Sequence, residues 1–182
     1  YRTIEVRRIA GALGAEIHGV DLARALRGET VAEIRRAFLE HLVIFIRGQK
    51  LTPQQQLGFA RAFGEPVEYP QLKGLPECPF ITPVVKLEHE RVNFGGVWHS
   101  DTTYLERPPM GSMLYAIEIP PHGGDTLFAN QYLAYEALSA GLKRTLDALV
   151  GVNTSTKAAA SKTREDRMRA AGEELKVLIG EH

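Results

Sequence analysis

The side chains best suited to chemistry in this sequence are an imidazole and a carboxylate two residues apart, His99 and Asp101. Residues 97–104 are rich in aromatic and β-branched types, which favours a strand. Successive strand side chains point to opposite faces, so His99 and Asp101 are predicted to share one face and Ser100 to lie on the other. Such a pair supplies two of the three protein ligands of a 2-His-1-carboxylate site, which binds non-haem Fe(II). The missing ligand is a second histidine.

The composition is that of a globular protein of one domain. The chain has 182 residues, is 44% hydrophobic, and balances 22 basic residues against 22 acidic ones. This length is sufficient to bury most of the surface of the unfolded chain. A formal net charge of zero gives no electrostatic reason to expect nucleic acid or an anionic membrane as a partner.

The sequence favours a cytoplasmic protein. No apolar run approaches the roughly 18 residues of a membrane span, and the N-terminal residues are charged rather than signal-like. The single cysteine, Cys78, excludes an intrachain disulfide and a cysteine-built zinc site, which suits a reducing compartment. We expect Cys78 to be a free, buried thiol.

The first half of the chain carries local signals for strands and helices. Glycines punctuate a loosely alternating pattern in the first twenty residues, which predicts short strands joined by turns. Apolar residues recur at helical spacing from Thr30, and the apolar run 42–46 predicts a strand buried on both faces. Thr52, Pro53 and Gln55 combine an N-cap, a proline at the first helical position and a capping box, so a helix is predicted to start there and to end at Gly64.

The second half is predicted to be richer in strands. A proline-rich loop spans residues 65–80, and strands are predicted at 81–87, 111–119 and 125–129. Two short helices are predicted within 133–149, split near Ser139, which can cap the second. Beyond them the sequence suggests a strand at 150–154, a charged helix from Thr163 and the start of a strand at 175–179.

Two blocks of sequence resemble the taurine dioxygenase family, which includes the aryloxyacetate dioxygenases and consists of Fe(II)- and 2-oxoglutarate-dependent oxygenases. The first is Trp-His-Ser-Asp-Thr-Thr-Tyr at 98–104, followed by the prolines at 108 and 109, and the second is Gly-Gly-Asp-Thr at 123–126. Further likeness lies at residues 14–22, 52–55 and 135–138, so the resemblance covers most of the chain.

The resemblance implies a mostly β fold with flanking helices, in which a double-stranded β-helix, or jelly roll, forms a single dioxygenase domain over residues 1–182. By position, His99 and Asp101 bind iron and Thr126 hydrogen-bonds a carboxylate of 2-oxoglutarate. A hydroxyl donor suits a carboxylate acceptor. The implied reaction oxidises a substrate C–H bond with dioxygen and releases succinate and carbon dioxide. The family often forms dimers or tetramers.

The resemblance also implies residues that this sequence does not supply at the expected place. In the family, the second iron histidine and an arginine that pairs with 2-oxoglutarate lie in the final third of the domain. Only His122 and His182 follow the His-x-Asp motif here, one in a proline-glycine turn and the other at the last position. We therefore expect the chain to be a truncated or partly ordered form of a longer protein, and one that truly ended at His182 to be catalytically inactive.

The resemblance indicates the substrate-binding residues less directly than the iron ligands. Taurine-specific members have a histidine at the position of Tyr69, before Pro70, and a neutral phenol binds anions less strongly, so taurine is not the expected substrate. Tyr69, Asn93 and Tyr104 are candidates for the substrate pocket; the alternatives are a turn-forming asparagine and half-buried strand tyrosines. Trp98 is expected to pack on the strand.

Two other readings of the His-x-Asp pair remain open. One is a zinc hydrolase, although nitrogen and sulfur ligands for zinc are scarce in this chain. The other is a cupin-like binding or scaffolding module that keeps the jelly roll and binds no catalytic metal.

Overall fold

The computed structural model of Tyr1–His182 describes residues 1–69, 72–86 and 98–153. They fall into two compact units. The first is formed by Tyr1–Glu65 and Met113–Val150, and the second by the described residues of 66–112 together with 151–153. The predictions for Asn93, the helix from Thr163, the strand at 175–179 and His182 lie outside the described residues.

A three-stranded sheet lies in the first unit, in the order β1 (Glu5–Arg8), β2 (Ala15–His18), β3 (Ile44–Phe45). Strands β1 and β2 are antiparallel, with Val6 opposite Ile17, and β2 and β3 are parallel. Gly14 has a φ of 99° immediately before β2, a conformation that glycine adopts without strain. The predicted pair of short strands joined by a glycine turn is confirmed.

Helix α1 (Gly28–His41) covers this sheet. Its buried face includes Ile34 and Ala37, which pack with Ile4 and Ile17 of the sheet side into one apolar cluster. The periodicity that predicted the helix therefore reflects real burial.

Glu33 is a buried carboxylate on that same apolar face. It accepts hydrogen bonds from the backbone N–H groups of Arg2 and Thr3, at 2.6 and 2.8 Å, and from the Thr3 hydroxyl at 2.8 Å. Burial works to raise the pKa of Glu33, but these donors outweigh it and lower the pKa to about 2. The ionised side chain of Glu33 thereby connects residues 2 and 3 to α1 through hydrogen bonds.

The strand predicted at 42–46 is shorter and less buried than expected. Only Ile44 and Phe45 are in β3, and both are half-buried. Leu42 directly after α1 has a φ of 66°, and Gly48 has a φ of 69°. Leu42, at the predicted start of the strand, therefore has a backbone conformation outside the strand region, and β3 pairs with a single described neighbour.

Helix α2 (Pro53–Arg61) begins as predicted. The Thr52 hydroxyl accepts from Gln55 N at 3.2 Å, and the Gln55 side chain accepts from Thr52 N at 2.8 Å. The helix ends at Arg61, three residues before the predicted stop at Gly64.

The two predicted helices near Ser139 are confirmed as α3 (Gln131–Glu136) and α4 (Ala140–Asp147). Ser139 caps α4 by accepting from Leu142 N at 3.2 Å. Asn130 caps α3 in the same way, through Leu133 N at 3.1 Å.

The strands predicted within 81–86, 111–119 and 125–129 are absent from the described residues. Residues 114 and 116–129 are instead exposed, without regular secondary structure. A strand needs a neighbouring strand as its hydrogen-bonding partner, and among the described residues none of these segments is paired with one. The mostly β fold is therefore not seen here, where helices contribute more residues than strands. None of the described helices has the length and apolar character needed to cross a membrane.

Candidate functional site

The side chains of His99 and Asp101 meet in the second unit. Nε2 of His99 lies 3.3 Å from Oδ1 of Asp101, and the two side chains are 50% and 54% exposed. The predicted strand is wrong for these residues, since residues 98–100 have no strand pairing and a turn begins at Asp101. The predicted convergence of the two groups occurs nonetheless, with both open to solvent.

The turn that follows Asp101 is held by contacts of its own. Thr102 is buried, has a φ of 51°, and accepts a hydrogen bond from Leu105 N at 3.0 Å. Thr103 Oγ1 donates to Asn153 Oδ1 at 3.1 Å. Sequence reasoning missed this last contact because its partners are 50 residues apart and no local signal links them.

The two donors fit a pair of adjacent ligands on one metal ion. Ligand atoms about 2.1 Å from an octahedral ion and at right angles to each other are separated by about 3 Å. The 3.3 Å between Nε2 and Oδ1 is close to that value, and one nitrogen with one carboxylate oxygen is a donor set that Fe(II) accepts.

The described residues supply these two ligands and no third. Across 1–69, 72–86 and 98–153, no group of three or more His, Cys, Asp or Glu side chains is arranged to hold a metal ion. His122, the described histidine that follows the motif, is exposed to solvent.

Thr126 belongs to the first unit and is exposed. The two residues of the Gly-Gly pair before it, Gly123 and Gly124, both have a positive φ, of 78° and 70°. The segment after Thr126 contacts the loop between β1 and β2, because Asn130 Nδ2 donates to the carbonyl oxygen of Ala12 at 2.7 Å. Both glycines thus have a backbone conformation that glycine adopts without strain, shortly before the exposed Thr126.

The predicted substrate residues are distributed as follows. Tyr69 and Tyr104 are half-buried in the second unit, and Asn93 lies outside the described residues. The Tyr104 hydroxyl is buried and has no hydrogen-bond partner among the described residues. Trp98 is 70% exposed, so the expectation that it packs on a strand is wrong.

The loop that precedes the motif is compact. Leu75 N donates to the carbonyl oxygen of Ile81 at 2.8 Å, and Cys78 N to that of Leu75 at 3.0 Å. Cys78 is 3% exposed, which confirms a free, buried thiol. A separate cavity of about 380 Å³ in the first unit is lined by residues that include Asp21, Gln49 and Lys50, and it contains none of the predicted site residues.

An imidazole and a carboxylate at ligand spacing define a candidate mononuclear metal site. Residues 5–177 match the family described as "Taurine catabolism dioxygenase TauD, TfdA family". The chain belongs to this family, whose dioxygenases use Fe(II) and 2-oxoglutarate, and the resemblance predicted from the two sequence blocks is confirmed.

Curated relatives agree with this assignment. An alpha-ketoglutarate-dependent sulfate ester dioxygenase of Pseudomonas putida is 37% identical over 84% of this chain and 50% of its own length. An alkylsulfatase of Acinetobacter baylyi is 38% identical over 84% of this chain and 47% of its own. The 2,4-dichlorophenoxyacetate dioxygenase of Cupriavidus pinatubonensis is 34% identical over 74% and 53%. The chain thus spans about half the length of the curated relatives it matches.

A solved structure also resembles this chain. The taurine dioxygenase from Burkholderia xenovorans shares 39% identity and superposes with a TM-score of 0.69, over 80% of this chain and 52% of its own. This likeness supports a fold of the taurine dioxygenase type.

Proposed function

We propose that this chain carries the iron-binding motif of an Fe(II)- and 2-oxoglutarate-dependent dioxygenase. The enzyme oxidises a C–H bond of a small anionic organic substrate of the sulfonate, sulfate ester or carboxylate type, and releases succinate and carbon dioxide. The observation that carries the proposal is the 3.3 Å approach of His99 Nε2 to Asp101 Oδ1 in a chain of this family.

His99 and Asp101 are the residues that would hold iron. Each contributes a side-chain donor to the same side of a turn, and their exposure leaves room for other ligands. When bound there, Fe(II) supplies the redox chemistry in which one oxygen atom of dioxygen goes to succinate and the other to the substrate carbon. The protein positions the reactants and excludes side reactions.

Thr126 is the proposed contact to 2-oxoglutarate. Thr126 is exposed and follows Gly123 and Gly124, both of which have a positive φ. A hydroxyl that donates to a carboxylate makes a charge-assisted hydrogen bond, which is stronger than a neutral one.

Tyr69, Asn93 and Tyr104 are the proposed substrate residues. The names of the relatives point to anionic substrates, since they include a sulfate ester dioxygenase and a 2,4-dichlorophenoxyacetate dioxygenase. Tyr69 stands where taurine-specific members have histidine, which argues for a substrate other than taurine.

The wider organisation is proposed on the same grounds. Residues 1–182 belong to one catalytic domain of the jelly-roll type, with dioxygen and a small molecule as its reactants and a homo-oligomer as its assembly. The single cysteine is in keeping with a cytoplasmic location. Neither nucleic acid nor membrane is a proposed partner.

The test of the iron ligand is His99→Ala in the natural polypeptide that carries residues 1–182. Loss of an essential ligand is expected to lower substrate-stimulated succinate release by at least about 100-fold. His122→Ala is the matched control, because His122 is an exposed histidine in a turn outside the motif. Succinate release that survives His99→Ala would exclude His99 as a ligand.

A second test separates the oxygenase from the two other readings. Anaerobic Fe(II) with 2-oxoglutarate should give the weak visible absorption of a metal-chelate complex, and His99→Ala should remove it. A zinc hydrolase or a metal-free binding module should give no such absorption.

The role of Thr126 is tested by two substitutions. Thr126→Val keeps the shape and removes the hydroxyl, and it is expected to raise the KM for 2-oxoglutarate by about 10-fold or more. Thr126→Ser restores the donor and should recover most of the loss. Equal KM values in the three proteins would show that the hydroxyl has no part in binding.

A further inference from the structure

The side chain of Asn130 makes two hydrogen bonds, and the cap of α3 accounts for only one of them. Its Oδ1 accepts from Leu133 N at 3.1 Å, as the side chain of an N-cap residue does. Its Nδ2 donates to the carbonyl oxygen of Ala12 at 2.7 Å, across 118 positions of sequence. A hydroxyl is sufficient for capping, as Thr52 and Ser139 show at α2 and α4. The amide donor of Asn130 therefore makes a contact that helix capping does not require.

The carbonyl group that Asn130 contacts lies in a closed loop between β1 and β2. Ile9 N closes this loop by donating to the carbonyl oxygen of Gly14 at 3.1 Å. Gly14 N in turn donates to the carbonyl oxygen of His41, at the end of α1, at 2.9 Å. Ala12 is thus part of a loop that is connected to both the sheet and α1, and it offers Asn130 a fixed acceptor within the first unit.

Thr126 precedes Asn130 by four residues, in a segment without regular secondary structure. Residues 116–129 are exposed, and among the described residues none of them pairs in a strand. Such a segment has many accessible backbone conformations, and ordering it costs conformational entropy. Four residues of chain span at most about 14 Å, so the contact of Asn130 limits the positions that Thr126 can take.

We propose that Asn130 is a positioning residue for 2-oxoglutarate. The hydrogen bond from its Nδ2 to Ala12 holds the segment that carries Thr126, so that less conformational entropy is lost when the threonine hydroxyl binds a carboxylate of 2-oxoglutarate. The inference rests on the proposed function, which gives Thr126 that contact. Asn130 acts through Thr126 and does not itself need to reach the co-substrate.

The test is Asn130→Asp in the natural polypeptide that carries residues 1–182. An ionised aspartate still caps α3 but has no donor for the carbonyl oxygen of Ala12. Anaerobic titration of the Fe(II)-loaded protein with 2-oxoglutarate, followed by visible absorption, measures the Kd. We expect the Kd to rise by about 3- to 10-fold, the effect of losing one hydrogen bond, and kcat at saturating 2-oxoglutarate to stay within about 2-fold.

A double-mutant cycle with Thr126→Val separates positioning from other effects. If Asn130 acts through the Thr126 hydroxyl, Asn130→Asp should change the Kd by less than about 2-fold once that hydroxyl is removed. Repulsion of 2-oxoglutarate by the new carboxylate would instead appear equally with and without the hydroxyl. Equal effects in the two backgrounds would therefore overturn the inference.

Ser139→Ala is the matched control, because it removes a cap of the same kind from α4. It should lower the melting temperature and leave the Kd for 2-oxoglutarate unchanged. If the Kd rises in Ser139→Ala as much as in Asn130→Asp, it merely follows stability, and the inference is wrong.

Failure of the proposed function gives a different pattern. In that case the unchanged protein shows no absorption with Fe(II) and 2-oxoglutarate, or Thr126→Val leaves the Kd unchanged, and either result overturns both proposals. The inference alone fails if Thr126→Val raises the Kd and Asn130→Asp does not.

Discussion

Glu33 is an ionised carboxylate that stabilises the fold by accepting three hydrogen bonds from Arg2 and Thr3. Its pKa is about 2 in the folded chain, against an ordinary value of 4.5. A lowered folded-state pKa means that the contribution is complete above about pH 4.5 and is lost as the pH falls towards 2. The ionised form of Glu33 therefore stabilises the folded chain, and protonation removes that contribution.

We predict that Glu33→Gln lowers the melting temperature by roughly 3–6 °C at pH 7, because the amide is a weaker acceptor for the three donors. The difference in melting temperature between Glu33→Gln and the unchanged protein should shrink below pH 4.5. In that range the Glu33 carboxylate of the unchanged protein becomes protonated in the unfolded state. Glu29→Gln, at an exposed position in the first turn of α1, is the control. A difference that stays constant from pH 3 to 7 would contradict the prediction.

Gly74 is required by close contact in the second unit. A Cβ atom at this position would overlap the backbone of Pro79, whose carbonyl group crosses directly over it. Backbone cannot move aside as a flexible side chain does, so Gly74→Ala is expected to lower the free energy of unfolding by about 1–3 kcal/mol. Gly58→Ala in α2 meets no atom within 4 Å and should instead stabilise by about 0.5–1 kcal/mol. Urea unfolding measures both, and equal effects would refute the steric explanation.

At the scale of elements, the start of α2 is the clearest case of sequence dictating structure. Thr52 and Gln55 satisfy each other's backbone N–H groups, and Gln55 Nε2 also donates to the carbonyl oxygen of Ala23 at 3.2 Å. Thr52→Ala is expected to cost about 0.5–2 kcal/mol in the free energy of unfolding. Gln54→Ala, exposed in the same helix, should change it by less than about 0.5 kcal/mol. A Thr52→Ala protein as stable as Gln54→Ala would mean that the cap contributes nothing.

The elements that sequence predicts well are those whose determinants lie within one turn of chain. The capping box at Thr52, the Ser139 cap and the buried face of α1 are of this kind, and so is the meeting of His99 with Asp101 two residues away. Strands depend on a partner distant in sequence, so local alternation and strand-like composition predicted strands at 111–119 and 125–129 that the described residues do not form. The Thr103–Asn153 contact could not be predicted from the sequence either, because its two partners are distant in sequence.

At the scale of the whole molecule, the sheet and α1 of the first unit bury an apolar core, while residues 113–150 of that unit leave large apolar side chains in contact with solvent. Exposure reaches 76% at Leu114, 74% at Ile119 and 69% at Leu127. Where exposed apolar side chains form a contiguous surface, that surface normally marks a place where other protein packs. The chain also matches only about half the length of its relatives.

This exposed surface leads to a prediction for the 182-residue chain in isolation. It should bind a fluorescent apolar dye and self-associate, and Leu114→Lys with Ile119→Lys should reduce dye fluorescence by about half, because charge breaks the apolar surface. The control is Ile9→Lys with Leu39→Lys, two side chains that are 50% and 58% exposed outside residues 113–150. Dye titration and sedimentation measure the two effects. The first pair of substitutions should reduce dye fluorescence more than the second, since equal reductions would mean that the exposed residues of 113–150 form no common surface.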